Sequence, residues 1–219
     1  MDDLRHHHDN WSALRVDFAR VVDRDHWGLG LIMIGWIHLA FSLTYQTLYA
    51  HGLRRASIFL PLWALEVAVV TYSMRRVAGR GWHRSTPLAG VVVRVWATFL
   101  ILSMSVATLN GLTGWALDWF KAVWCTLGSF GFATMAWLLS LWFLLPAFQM
   151  YFTGLLIASH PGLSYLIHGI SWWAALQGIG WVLERHRARR MAGLAASAED
   201  GFAAGPPMIP VGDGEEPLL

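Results

Sequence analysis

Apolar residues run through this chain in stretches far longer than a strand requires, and few charged positions interrupt them. Four segments are almost free of Asp, Glu, Lys and Arg: 26–53, 56–74 broken only by Glu66, 85–117 broken only by Arg94, and 122–183. A bilayer core about 30 Å thick needs roughly 20 residues of apolar helix. The first three segments hold one such helix each and the fourth is long enough for three. The pattern therefore predicts an all-α integral membrane protein, a polytopic bundle of about six transmembrane helices at about 28–49, 57–74, 88–109, 115–134, 137–158 and 163–183.

The weakest division lies between the fourth and fifth helices. Only Gly128 and the Gly131–Thr134 stretch offer a turn before Pro146, whereas His160-Pro161-Gly162 is a clear break. A five-span arrangement would use one long helix at about 120–145. Loop charge favours six, because Lys and Arg near span ends stay in the cytoplasm. Arg5, Arg15, Arg20 and Arg24 precede the first span, Arg75, Arg76, Arg80 and Arg84 follow the second, and Arg185, Arg187, Arg189 and Arg190 follow the last. Six spans put all of these on one side, opposite only Arg54, Arg55 and Lys121, with both termini cytoplasmic.

Outside the spans the pattern changes. Residues 1–26 form a polar segment in which Trp11, Leu14, Phe18, Val21 and Val22 recur at helical spacing opposite Arg15, Asp17, Arg20, Asp23 and Arg24. Such a helix lies on the membrane surface or packs on the protein's own loops. His6-His7-His8 suits a solvated end better than a metal tract. Residues 27–184 form the transmembrane domain. Residues 185–219 begin basic and become an Ala, Gly, Pro and acidic tail whose composition predicts disorder after Arg190.

Composition agrees with this division. The 219 residues are 56% hydrophobic and 14% charged, with 14 tryptophans, and the mean hydropathy is +0.44. These values exclude an ordinary soluble domain, a disordered chain, a collagen and a disulfide scaffold. The one cysteine, Cys125, excludes an internal disulfide and a cysteine-based metal cluster. No apolar signal-peptide core precedes residue 27, and no phosphate-binding loop, zinc-protease motif or hydrolase elbow is present. Nothing points to nucleic acid. Arg far outnumbers Lys, as in GC-rich bacterial genomes, so a bacterial inner membrane is the expected location. Trp27, Trp82, Trp115, Trp119 and Trp181 fall near span ends, where indoles anchor at headgroup level.

Polar residues at span depth are the candidates for chemistry. Glu66 and Arg94 lie at depths differing by about 3 Å of helical rise, which predicts an intramembrane ion pair fixing helix register. Functional alternatives make Glu66 a proton site or Arg94 an anion site, or let Arg94 snorkel to the headgroups. His38, Ser42, Tyr45 and Tyr49 form a polar stripe on one face of the first span, with Gly35 one turn earlier for close helix approach. His38 and His168 are the minimum for bis-imidazole ligation of a b-type haem between facing helices. His51 and His160, with Asp118, form a weak metal constellation at the opposite boundary.

Three functions follow. The leading expectation is a non-enzymatic accessory or assembly subunit, with lipid and other membrane subunits as partners. The second is a b-type haem electron carrier using His38 and His168. The third is a small proton-coupled transporter built around Glu66, Arg94 and His38.

Overall fold

A computed structural model describes residues 2–53, 55–113 and 117–203 and shows no strand among them. Among the described residues seven α-helices follow one another: α1 (Asp2–Arg24), α2 (Trp27–Ala50), α3 (Ala56–Val77), α4 (Pro87–Thr113), α5 (Leu117–Leu138), α6 (Leu144–Ser159) and α7 (Ser164–Ala203). Short 3-10 turns at Trp82–Arg84, Leu141–Phe143 and Pro161–Leu163 lead into α4, α6 and α7. Four segments are long and apolar enough to cross a membrane: Trp27–Ala50, Ser57–Val77, Pro87–Asn110 and Leu141–Ser159. α5 and α7 do not meet that standard. They carry several of the polar residues that the bundle buries, Lys121 on α5 and Ser164, His168 and Ser171 on α7.

A helix occupies each of the six predicted segments, but the turn after α5 is displaced from its expected position. Gly128 and Gly131 do not break the chain; α5 runs through both and ends at Leu138, and the extended Ser140 makes the turn. The glycines serve packing instead. A Cβ on Gly128 would stand 3.2 Å from the Trp172 indole, and one on Gly131 would stand 3.3 Å from Trp96. The long 120–145 helix of the five-span alternative is absent. Pro146 falls in the first turn of α6, where its missing N–H has no intrahelical partner to lose.

The chain divides into two compact units, Met1–Glu184 and Arg185–Leu219. Within the first, α2 packs with α3, α4 with α5 and α5 with α6. The seam between α2 and α7 is unusually close. Gly28, Gly35, Ser42 and Tyr49 recur every seven residues along α2 and all are buried. A strict seven-residue repeat keeps one stripe of a helix against its neighbour. Gly28 faces Gly180, Gly35 faces Leu176 and Gln177, and Ser42 faces Gly169, so the two helices are antiparallel. Side-chain amides finish the seam: Gln177 Nε2 donates to the Ile32 carbonyl at 2.8 Å, and Gln46 Oε1 accepts from the Leu166 N–H in the first turn of α7. At the other end Glu184 Oε1 accepts the Leu29 N–H at 3.0 Å, satisfying an amide in the first turn of α2.

Among the described residues, apolar side chains of the amphipathic N-terminal segment pack on the bundle. Phe18 and Val22 are buried with Trp27, Met74, Ala78, Leu88, Ala89, Val92 and Met135 in one core cluster. Trp27, expected at the headgroup level, is 6% exposed and meets Phe18 and Trp82 edge-on. Arg15 reaches from α1 to the end of α5, where its guanidinium donates to the Leu138 and Trp137 carbonyls at 3.2 Å. These are orphan acceptors of a helix C-terminus, where a cation also complements the dipole.

In the second unit the helix continues past Arg190 to Ala203, beyond the point where apolar periodicity ends and disorder was expected. The alanine-rich sequence from Ala192 to Ala198 explains this, since alanine favours helix without needing a buried face. The remainder of the predicted acidic tail, 204–219, lies outside the described residues.

Candidate functional site

The buried polar residues Ser42, Glu66, Lys121 and His168 meet with His38, Tyr45 and Cys125 in one cluster drawn from α2, α3, α5 and α7. Its centre is Glu66, 7% exposed in the middle of α3. A carboxylate so placed loses its hydration and must recover it from fixed donors. Two are present, both supplied by the polar stripe of α2. His38 Nδ1 donates to Oε1 at 2.5 Å and the Tyr45 hydroxyl donates to Oε2 at 2.8 Å. Positions 38 and 45 are two helical turns apart on one face, so α2 presents both donors to α3 at once.

The predicted Glu66–Arg94 pair is not formed. Arg94 is exposed on α4, and the carboxylate faces α2. Depth along the axis allowed the pair; the rotation of α3 about its own axis decided against it.

Around the Glu66 centre the remaining groups form two arms. On one, the His38 ring meets the His168 ring at 5.5 Å between centroids, and His168 Nδ1 lies 3.3 Å from the Cys125 thiol on α5. Ser42 Oγ stands 3.5 Å from His38 Nε2. On the other, Lys121 of α5 is 2% exposed and its ammonium is boxed by aromatic rings. Trp124 lies 3.9 Å from Nζ, Tyr165 5.0 Å, and Tyr45 and Phe120 5.6 Å each. Desolvated cation–π contacts of this kind contribute about 2 kcal/mol or more. Tyr45 belongs to both arms: its ring faces the ammonium while its hydroxyl holds Glu66. Among the described residues Lys121 makes no ion pair within 4.0 Å.

Sequence reasoning placed His38, Ser42, Tyr45, Tyr49 and His168 inside the bundle, and the structure brings His38 and Tyr45 to Glu66 and brings Ser42 and His168 to His38. Tyr49 sits a turn further on, packed on Tyr165 at 5.6 Å. Lys121 and Cys125 were missed as members. Lys121 was read as loop charge, although a lysine flanked by Phe120 and Trp124 carried the signal of an aromatic box.

The other groupings do not assemble. His51 and His160 are both exposed, and His160 Nδ1 is 3.0 Å from the adjacent Ser159 hydroxyl. The Asp118 side chain lies outside the described residues. No group of three or more His, Cys, Asp or Glu suited to a metal occurs among the described residues. The haem expectation meets a steric objection. His38 and His168 contact each other directly, and both rings pack on Trp172, at 6.0 and 6.2 Å. A planar macrocycle between them would take the space that these three side chains fill, so the residues as packed do not fit a haem.

What the arrangement can do chemically is hold and exchange protons. A carboxylate, two imidazoles, a phenol, a thiol and an amine stand in sequence inside an apolar bundle, linked by hydrogen bonds and ring contacts. No protein-family model matches the chain, and neither a curated protein nor a solved structure matches it significantly. The class the fold defines is therefore the one its helices give: an all-helical protein with four helices fit to cross a membrane.

Proposed function

We propose that this chain is a six-span protein of a bacterial inner membrane, with both termini in the cytoplasm, and that it works as a small proton-coupled transporter. The count of six is supported by a helix at each of the six predicted segments and by the side-to-side bias of Arg. The observation that carries the functional reading is the Glu66 carboxylate, held by His38 and Tyr45 at the middle of two apolar helices. Ionisable residues at that depth are costly and mark proton or ion pathways in membrane proteins. Glu66 with His38 is the proton site, Tyr45 orients the carboxylate, and the Lys121 ammonium across the Tyr45 ring balances its charge. Arg94 has no part in this centre.

The test is proton flux. Full-length protein in liposomes loaded with a pH-sensitive dye, driven by a potassium diffusion potential, is compared with Glu66→Gln and His38→Gln. Wild-type vesicles should acidify faster than protein-free ones, and Glu66→Gln should abolish the difference. Flux equal to protein-free vesicles for the wild type, or unchanged in Glu66→Gln, would overturn the proposal in favour of a structural accessory subunit.

A further inference from the structure

A second site lies at the start of α4, away from the Glu66 cluster. His83 and Arg84 of the 3-10 turn, Ser85, Thr86, Pro87, Gly90, Val93 and Arg94 line one depression. Thr86 Oγ1 accepts the Ala89 N–H at 3.1 Å and Ser85 Oγ donates to the Trp82 carbonyl at 2.8 Å, so the turn is held in a fixed shape. Gly90 keeps the floor low: the nearest atom to a Cβ there would be the His83 carbonyl oxygen at 3.8 Å. Arg84 and Arg94 are exposed, and among the described residues neither makes an ion pair.

Arg94 gives the site its meaning. It follows Pro87 by seven residues, about 10 Å along the helix axis, on a helix apolar enough to lie in lipid. An arginine at that depth snorkels to the interface and gains most from an anionic partner there. Helical side chains lean toward the helix N-terminus, so Arg94 leans toward the turn that carries Arg84 and His83, and all three line the one depression. A guanidinium pair with an imidazole beside it, open to the membrane surface, matches the geometry and charge of a phosphate diester.

We propose that the depression bounded by Arg84, Gly90 and Arg94 binds the phosphate headgroup of an anionic phospholipid. The headgroup neutralises Arg94 from outside the protein and ties the start of α4 to the anionic membrane surface.

Native mass spectrometry of the full chain released from mixed micelles of phosphatidylglycerol and phosphatidylcholine tests this. The wild type should retain phosphatidylglycerol selectively. Arg84→Gln with Arg94→Gln should weaken retention by on the order of tenfold or more, and Gly90→Leu, which fills the depression and keeps the charges, should do the same. Arg75→Gln with Arg76→Gln should leave retention unchanged. Retention undiminished in the Arg84 and Arg94 variant, or lost equally with Arg75 and Arg76, would overturn the proposal. So would displacement of the lipid by millimolar inorganic phosphate, which would make free phosphate the ligand. Unchanged thermal melting of each variant confirms that the fold is intact.

Discussion

Gly28 and Gly180 meet backbone to backbone: a Cβ on Gly28 would fall 2.7 Å from the Gly180 carbonyl oxygen, and one on Gly180 would fall 2.6 Å from that of Gly28. Neither obstacle is a side chain that can rotate away. Gly180→Ala must therefore separate α2 from α7, at a cost of about 1–3 kcal/mol. Gly178, two residues earlier with open space around its Cα, is the control. Gly178→Ala should be neutral or raise stability by up to about 1 kcal/mol, because it removes helix-interior glycine. Unfolding of the two variants in detergent, followed by circular dichroism, checks the contrast.

The pairing of His38 with Glu66 predicts strong energetic coupling. Removing one partner leaves a buried polar or charged group unsatisfied, at a cost of about 1–3 kcal/mol or more. His38→Leu and Glu66→Leu should each be severely destabilising. The double variant should lose less than the sum, with a coupling of about 0.5–3 kcal/mol. Additive losses in the same unfolding assay would show that the two residues do not act together.

Arg15 predicts a local effect. Arg15→Ala frees the Leu138 and Trp137 carbonyls and should cost about 1 kcal/mol. Amide exchange should rise at residues 139–143, just beyond the end of α5, while the middle of α5 keeps its protection. Exchange unchanged there would show that the contact stabilises nothing.

The direct contact of His38 with His168 and Trp172 predicts the absence of haem. Protein expressed in a haem-replete host and purified in mild detergent should show no Soret band. A stoichiometric band that disappears in His38→Ala and His168→Ala would require a rearranged bundle.

The helices were legible in the sequence because apolar length is a one-dimensional property. The turn at Leu139 and Ser140 was not. Glycine is ambiguous between turn and close packing, and only the positions of Trp96 and Trp172 show that Gly128 and Gly131 serve packing. Within the candidate site the polar stripe of α2 was legible from its spacing, and so was the isolation of Glu66. Their meeting depended on how α3 is rotated, which depth does not determine, and on that point Arg94 was the wrong partner. The seven-residue series Gly28, Gly35, Ser42 and Tyr49 was present in the sequence as a seam. In the sequence Gly35 reads as a close-approach glycine and Ser42 and Tyr49 as part of a polar stripe, and Gly28 completes the series only once Gly180 is seen opposite it.

The reach of Arg15 to the end of α5 also sets an order of events. Arg15 stands 123 and 122 residues before its two acceptors, so it can dock on them only once Trp137 and Leu138 have been made. Its docking then reports that α5 has been completed and terminated at Leu138. The Arg15 contact is thus a latch that closes only on a finished α5.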